Sequence, residues 1–254
     1  MNQSVVKALH LLDLFLEGQT ELTLVEVAER SGMPKPTAFR FLASLEACGM
    51  LVKSKNTGQD VRYRLGLKLL ELGNIVAEQL EIRTIAKPWM QALCAELNED
   101  VHLVILDGEE AVYIEKIESN QKVRLHTRVG KRSSVYIGSG PKLLLAFLPP
   151  EEQRSLISRI KLEDNADSLI QTEEALYEHM EEIKAQGYSI SLGEQERETI
   201  GISYPVRDYS NKVIAALSVS GPVSRIDSGF QKEIQEKTRE TALRISKALG
   251  YIES

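Results

Sequence analysis

The sequence contains little cysteine and no long apolar run. Cys48 and Cys94 are its only cysteines, and they form no C-x-x-C pair and no cluster with histidine. We therefore predict neither a disulfide framework nor a structural zinc site. No apolar run approaches the roughly 18 residues that a membrane-spanning helix needs, and the first residues lack the apolar segment of a signal peptide. We expect a cytoplasmic protein with no membrane partner.

The sequence also lacks a catalytic motif. Ser139 lies in "GSG", which is not the G-x-S-x-G of a nucleophile elbow, and no P-loop spacing leads to Lys142. The histidines show no metal-ligand spacing; they are His10, His102, His126 and His179. We predict no enzymatic activity, no metal site and no cofactor. The alternative is a small-molecule enzyme with a DNA-binding module, in which His126 would serve a serine nucleophile.

Charge is unevenly distributed along the chain. The formal net charge is −6, from 31 Lys and Arg against 37 Asp and Glu. Residues 1–66 nevertheless hold 8 basic and 7 acidic residues, and residues 30–64 hold 7 basic residues against Glu46 and Asp60. A local basic field on an acidic protein indicates a small DNA-binding module attached to a second domain. Ordinary surface solvation of each Lys and Arg is the alternative, whereas a pure dimerisation scaffold leaves the basic field unexplained.

Three helical patterns open the chain. Residues 5–16 are apolar on more than one face, which predicts a helix that is buried against its own domain and against a second copy of the chain. A T-x-x-E capping box at Thr23 begins a second helix, which ends at Gly32. A third helix begins at the prolines of residues 34–36 and ends at Gly49.

Two short strands, "MLVKS" and "VRYRL", follow the third helix and are separated by a turn-rich hexapeptide. Three helices and a β-hairpin predict a winged helix-turn-helix, in which the third helix enters the DNA major groove and the hairpin contacts phosphates. The predicted DNA contacts lie at the helix starts, on the third helix and on the hairpin: Thr23, Lys35, Pro36, Thr37, Phe39, Arg40, Lys53, Lys55, Arg62 and Arg64.

The rest of the chain alternates between helical and strand patterns. Apolar residues at helical spacing predict a linker helix that breaks near Glu81 and a further helix that runs to Leu97. An Asp-Gly turn then joins the strands of "VHLVILDGEEAVYIEKIE", and "KVRLHT" is a predicted third strand. Further helices are predicted at 140–148, 150–159, 172–187 and 228–249, with strands in "GYSISL", "TIGISYPVRD" and "KVIAALSVSG".

Strands that are grouped between helices and joined by hairpins are typical of an α+β domain with an antiparallel sheet. The predicted fold class is therefore mixed α/β, of the α+β type. The predicted domains are a winged helix-turn-helix at 1–66, a linker helix at 67–81 and an α+β domain at 82–254.

Four motifs resemble those of the IclR-type transcriptional regulators, in order and separation: "LTLVEVAERSGMPKPTAFRFLASLEACGML", "YRLGLKLLELG", "GYSI" and "AALSVSGPVSRI". The resemblance covers nearly the whole chain. It implies a GAF-like C-terminal domain that binds a small-molecule effector, often an organic acid. It also implies dimers that form through the DNA-binding domains and often pair into tetramers, and most such proteins are repressors.

The resemblance locates an effector site but not its ligand. Aligned on Lys142, Ser139 and Gly140 take the loop positions that contact ligand in relatives, although "VYIGSGPKLLLA" departs from the family's usual loop. Ser191 and Gly201 stand where relatives carry an acid and a Cys or Ser, whereas Ser218 and Ser220 match the family. Leu125, on the strand before the loop, is the predicted apolar wall.

The residues of this site indicate a carboxylate ligand. A glycine turn that opens a helix presents backbone amides at 138–140, which suits an anion. Ser218 and Ser220 share one side of their strand. We expect donors and little fixed charge, which suits a small carboxylate or a polyhydroxylated acid. Ser191 and Gly201 should enlarge the site and remove a negative charge, which favours a larger or more anionic ligand than the simplest keto acids. The alternative is a degenerate pocket that binds nothing, with DNA affinity set by a protein partner.

Overall fold

The computed structural model describes residues 2–16, 18–55, 61–79, 81–122, 127–160, 162, 170 and 172–253. The chain divides into two compact units, Met1–Gln79 and Leu80–Ser254. Among the described residues, no helix combines the length and the apolar character that crossing a membrane requires.

The first unit consists of short helices and a three-stranded antiparallel sheet with the order β1-β3-β2. Its elements are α1 (Gln3–His10), a 3₁₀ turn (Asp13–Phe15), β1 (Leu22–Thr23), α2 (Leu24–Ser31), α3 (Lys35–Ala47), β2 (Leu51–Lys55), β3 (Val61–Leu65) and α4 (Leu67–Gln79). The hairpin of β2 and β3 after three helices confirms the predicted winged helix-turn-helix.

Local hydrogen bonds set the bounds of α2 and α3. The amide of Glu26 donates to Thr23 Oγ1 at 3.3 Å and the amide of Thr23 donates to Glu26 Oε2 at 2.7 Å, which confirms the predicted capping box. Gly32 ends α2 at a φ of 65°, and Gly49 follows α3 at a φ of 74°. Both glycines adopt the left-handed conformation that side chains disfavour, so each helix ends where the sequence predicts.

The prediction of one helix over residues 5–16 is wrong. The helix α1 ends at His10, and a tighter 3₁₀ turn carries the chain into the core of the unit. Leu11 and Phe15 are buried there, whereas α1 itself has no buried residue. Leu11 directly follows α1 and Phe15 is the last residue of the 3₁₀ turn, so the chain reaches the core only beyond the end of α1. They join the core formed by Leu22, Val27, Ala28, Ala38, Leu42, Leu45, Leu51 and Tyr63.

The second unit is a six-stranded antiparallel sheet flanked by helices, with the strand order β6-β5-β4-β9-β8-β7. Its elements are α5 (Glu81–Leu97), β4 (Asp100–Asp107), β5 (Glu110–Ile117), β6 (Arg132–Ser134), α6 (Ser139–Ala146), α7 (Pro150–Ile157), α8 (Glu173–Gln186), β7 (Ser189–Leu192), β8 (Thr199–Arg207), β9 (Val213–Pro222) and α9 (Ser228–Ala248). The predicted α+β fold with an antiparallel sheet is confirmed.

One strand differs from the sequence prediction. Most of the predicted strand "KVRLHT" lies outside the described residues, since 123–126 are among those not described. The strand beside β5 is β6, only three residues long, which pairs Ser134 with Glu110 and Arg132 with Val112. The motif "RSS" lacks the β-branched and aromatic residues that mark a strand, so its pairing with β5 defines it.

Each face of this sheet packs against its own set of helices. The helices α5 and α9 cover one face with Met90, Leu93, Ile234 and Ile245. These side chains form one core with Leu217 and Val219 of β9. The helices α6, α7 and α8 cover the other face with Leu143, Leu156 and Met180. These side chains form a second core with Ala216 of β9. Because side chains alternate along a strand, Ser218 and Ser220 lie on the α6 face.

Candidate functional site

The helix α3 carries half of the predicted DNA contacts, on the face that points away from the core. Lys35, Pro36, Phe39 and Arg40 are exposed and Thr37 is half-buried, whereas Ala38, Leu42 and Leu45 of the same helix are buried. Thr23 lies at the start of α2. Its hydroxyl donates to Glu26 Oε2 at 2.8 Å as well as accepting the Glu26 amide, so the capping box occupies this side chain.

The predicted wing residues are divided between the two faces of the hairpin. The register pairs Lys53 with Tyr63, and it places Arg62 and Arg64 on the opposite face, across from Ser54 and Val52. Tyr63 is buried in the core, so Arg62 and Arg64 lie on the face turned away from it. Two cations of fixed register on one face are suited to successive phosphates.

Lys53 lies on the side of the wing that faces α3. Its ammonium forms an ion pair with Glu46 of α3 and lies 5.9 Å from the centre of the Tyr63 ring. The hydrogen bond to Glu46 raises the pKa of the Lys53 ammonium. Lys55 is the last residue of β2, and its side chain lies outside the described part of the chain. Lys53 therefore joins the wing to α3.

The second unit contains a small cavity between α6 and the sheet, with a volume of about 30 Å³. Two glycines and a set of hydroxyl-bearing, amide and aromatic residues line it: His102, Tyr113, Thr127, Gly138, Ser139, Ser191, Gln195, Thr199, Gly201, Ser218 and Ser220. The cavity is far smaller than the roughly 300–1,000 Å³ of a typical ligand pocket. A ligand of several heavy atoms therefore requires part of the lining to move.

Five of the seven predicted effector residues line this cavity, namely Ser139, Ser191, Gly201, Ser218 and Ser220. Gly140 packs behind the lining, where a Cβ would lie 3.0 Å from Ser218 Oγ and 3.2 Å from Val104 Cγ2. Leu125 lies outside the described residues. The cavity thus brings together serines from β7, β9 and the start of α6.

A buried chain of hydroxyls connects two of these serines. Ser203 Oγ lies 2.7 Å from Ser139 Oγ and 2.6 Å from Ser218 Oγ, and Ser203 is fully buried. Ser203 was not among the predicted residues. The pairing of Ser203 with Ser218 across β8 and β9 could have identified it, because paired residues share a face.

His102 is the second site residue that was not predicted. It lies opposite Ser218 in the pairing of β4 with β9, and its Nδ1 is 3.3 Å from Ser220 Oγ. Its Nε2 is buried and has no hydrogen-bond partner within the described residues. Burial lowers the pKa of His102 to about 4, against the attraction of Asp100 and with the repulsion of Lys116 and Lys131. The imidazole is therefore neutral near pH 7, with one ring nitrogen that donates a hydrogen bond and one that accepts.

The loop between β7 and β8 closes the cavity with Gln195. Its Nε2 donates to the hydroxyl of Tyr113 at 2.8 Å and to the carbonyl of Ile137 at 3.2 Å. Burial raises the pKa of Tyr113 to about 12, so the phenol keeps its proton. Gln195 also approaches Gly138 so closely that a Cβ there would lie 2.7 Å from Nε2.

The expectation of free amides and little fixed charge at the start of α6 is wrong. The amide of Gly138 donates to Glu194 Oε2 at 2.8 Å, and Lys142 Nζ lies 2.5 Å from Glu194 Oε1. Lys142 is 2% exposed, whereas the side chain of Glu194 is 25% exposed. A carboxylate of the chain itself thus occupies the predicted anion position. Within the described residues, no three His, Cys, Asp or Glu side chains are placed to hold a metal ion.

Comparisons with known proteins match a domain family to each of the two parts of the chain. The IclR helix-turn-helix domain matches residues 4–55, and the domain described as "Bacterial transcriptional regulator IclR C-terminal" matches residues 75–247. The HTH-type transcriptional regulator KipR of Bacillus subtilis is 39% identical over 250 residues, which cover 98% of each chain.

Solved structures show the same fold. The crystal structure of the Thermotoga maritima IclR has a TM-score of 0.79 at 28% identity, covering 99% of this chain and 100% of that one. An IclR homologue from Microbacterium hydrocarbonoxydans, solved in complex with 4-hydroxybenzoate, has a TM-score of 0.80 at 27% identity and covers 97% and 99%. Such regulators bind DNA through the helix-turn-helix and an effector through the C-terminal domain, and they are not enzymes. This chain therefore belongs to the IclR family of bacterial transcriptional regulators.

Proposed function

We propose that the chain is a repressor that binds a pseudopalindromic operator near its own promoter as a dimer and responds to a small carboxylic acid. The observation that carries the proposal is the exposed face of α3, where Lys35 and Arg40 project from a helix whose other face is buried. A regulator that binds chromosomal DNA acts in the cytoplasm, where we place the chain.

In this proposal the N-terminal half of α3 lies in the major groove. Arg40 and Lys35 contact base edges, with Thr37 and Phe39 beside them, and Pro36 holds the first turn of the helix. Arg62 and Arg64 contact phosphates from the outer face of the wing. We assign Lys53 a bracing role, because its ion pair with Glu46 keeps the wing against α3.

Exposed apolar residues of the first unit support the proposed dimer. In α1, Val5 is 53% exposed and Leu9 is 45% exposed, and Leu16 after the 3₁₀ turn is 60% exposed. The helix α4 exposes further apolar residues, with Leu67 at 76% and Leu70 at 60%. Several exposed large apolar residues on one small unit are typical of a protein interface. The domain boundaries of 1–66, 67–81 and 82–254, and the pairing of dimers into tetramers, remain predictions.

The proposed effector is a small acid with a hydroxyl or another polar group distant from its carboxylate. The cavity supports this class because it combines hydroxyls of Ser218 and Ser220 with the neutral imidazole of His102 and the phenol of Tyr113. The relative solved with 4-hydroxybenzoate binds a hydroxylated aromatic acid. The competing proposal is a cavity without a ligand, in which a protein partner controls DNA affinity.

Two measurements on the full-length protein test this proposal. Binding to the chain's own upstream region should exceed binding to random DNA at physiological salt, and equal affinity for the two would contradict the proposed operator. A thermal-shift screen of hydroxylated and aromatic acids should give a ligand that stabilises the protein by about 2.7 kcal/mol at 100 times its Kd. Ser218→Ala with Ser220→Ala should abolish that shift and leave DNA binding unchanged.

A further inference from the structure

We propose that Glu194 acts as an internal carboxylate that holds the effector's place in the free protein and is displaced when the effector binds. The inference rests on the proposed function, because it concerns the regulation of the same site. The effector carboxylate takes the amide of Gly138 and the ammonium of Lys142 from Glu194. Gln195, the next residue, leaves the cavity in the same movement.

The contacts of Glu194 are those of a bound anion. One carboxylate oxygen accepts the amide of Gly138 at the start of α6, and the other lies 2.5 Å from Lys142 Nζ. Backbone amides at a helix N-terminus together with a cation form a strong carboxylate site. No contact in this set depends on the rest of the glutamate side chain, so a carboxylate from a ligand can satisfy the same partners.

Burial explains why the position must always be filled. Lys142 is 2% exposed, and a buried ammonium without a counter-ion is strongly destabilising. Glu194, by contrast, comes from the surface loop after β7, which begins at the exposed Gly193 and follows the exposed Leu192 at the end of the strand. The cation is thus fixed in the core of the unit while the anion is carried by a superficial loop. Exchange of the anion requires movement of the loop alone.

The size of the cavity links this exchange to ligand entry. A volume of about 30 Å³ does not admit an organic acid while Gln195 remains hydrogen-bonded to Tyr113 and Ile137. Because Glu194 and Gln195 are adjacent, withdrawal of the loop frees the carboxylate position and the cavity together. The buried Nε2 of His102, which has no partner among the described residues, then offers a hydrogen bond to the ligand.

The inference predicts that a small carboxylate can replace the missing group when Glu194 is truncated. The variant Glu194→Ala of the whole chain should unfold at a lower temperature than the wild type, because Lys142 loses its counter-ion. Sodium formate and sodium acetate should restore the unfolding temperature in a saturable way, and sodium chloride at equal ionic strength should not. The Kd of formate should be no tighter than about 1 mM, since so small a ligand makes few contacts.

Two variants serve as controls. Glu181→Ala breaks an exposed Glu–Lys pair, with Lys184 at 2.8 Å, and should show no preference for formate over chloride. Glu194→Gln keeps the shape of the side chain, so it should leave no room for formate and show no rescue. If Glu194→Ala does not fold in chloride, its refolding in formate supports the inference, and failure to refold in both salts overturns it.

Operator binding measured on the same samples separates the two proposals. Formate-independent unfolding of folded Glu194→Ala overturns the role of Glu194, even if the variant still binds its operator. Formate rescue in a protein that shows no operator preference would instead support the carboxylate position and contradict the proposed repressor function.

Discussion

The substitution Gly201→Ala tests the packing at the cavity, because strand propensity and crowding predict opposite changes in the free energy of unfolding. Glycine in a strand interior is usually less stable than alanine by about 0.5–1 kcal/mol, so Gly201→Ala would ordinarily stabilise β8. Here a Cβ at position 201 would lie 2.8 Å from Ser139 Oγ and 3.0 Å from Ser191 Oγ. The first distance is shorter than Cβ atoms tolerate in folded proteins and the second is at the lower limit, so the hydroxyl of Ser139 must move.

We expect the crowding to outweigh the gain in strand stability. Overpacking of a filled site costs about 1–3 kcal/mol, so Gly201→Ala should lower the free energy of unfolding by about 1 kcal/mol net. Ser139 cannot rotate freely, because its hydroxyl is hydrogen-bonded to that of Ser203 at 2.7 Å. Ser139→Ala removes the hydroxyl and leaves Ser139 Cβ 3.7 Å from the new methyl group, which is an ordinary contact.

Urea denaturation of both single variants and the double variant measures the coupling. The double variant should be more stable than the sum of the single effects predicts, by about 1–2 kcal/mol. Gly73→Ala in α4 is the control, because a Cβ there meets no atom within 4 Å, and it should stabilise the chain. A Gly201→Ala variant as stable as the wild type, or additive with Ser139→Ala, would refute the packing argument.

Three further predictions concern DNA binding, assembly and pH. Arg40→Ala should weaken operator binding by about 1–3 kcal/mol if Arg40 contacts a base, and Lys184→Ala in the second unit should leave the measured Kd unchanged. Leu9→Asp should weaken both dimerisation, measured by sedimentation, and operator affinity, because Leu9 is 45% exposed and its substitution leaves the core intact. Dimerisation equal to that of the wild type would place the interface elsewhere. His102 has a pKa of about 4 in the fold against an ordinary 6.5, so the unfolded chain binds more protons between these values. Stability should therefore fall as the pH drops from about 6.5 to about 4, by up to about 3 kcal/mol, and His102→Gln should flatten this dependence in pH-dependent unfolding.

The sequence predicts well what depends on neighbouring residues. The capping box of Thr23 and Glu26 spans three positions, and Gly32 and Gly49 end helices by their own backbone conformation. Such signals are complete within one turn of chain, so α2 and α3 could be located without tertiary information. The break after His10 is different, since it follows from the burial of Leu11 and Phe15 against the rest of the unit.

The parts of the site that the sequence analysis missed are those assembled over long separations. Glu194 and Lys142 are 52 residues apart, and Ser220 and His102 are 118 apart. Neither pair has a local signature, and of these four residues the family motifs contain only Ser220. The strand β6 is likewise defined by its partner β5 and by nothing in its three residues. Prediction of such contacts requires the register of the whole sheet.

The strand β9 has a consequence for how new ligand specificities can arise. Leu217 and Val219 hold one face of the sheet together, while Ser218 and Ser220 face the cavity from the same strand. The residues that pack the fold and those that line the cavity therefore alternate along one strand and point in opposite directions. Substitutions at 218 and 220 change the chemistry offered to a ligand and leave the apolar layer of α5 and α9 undisturbed. Under the proposed function, a descendant of this chain can acquire a different effector by single substitutions through folded intermediates.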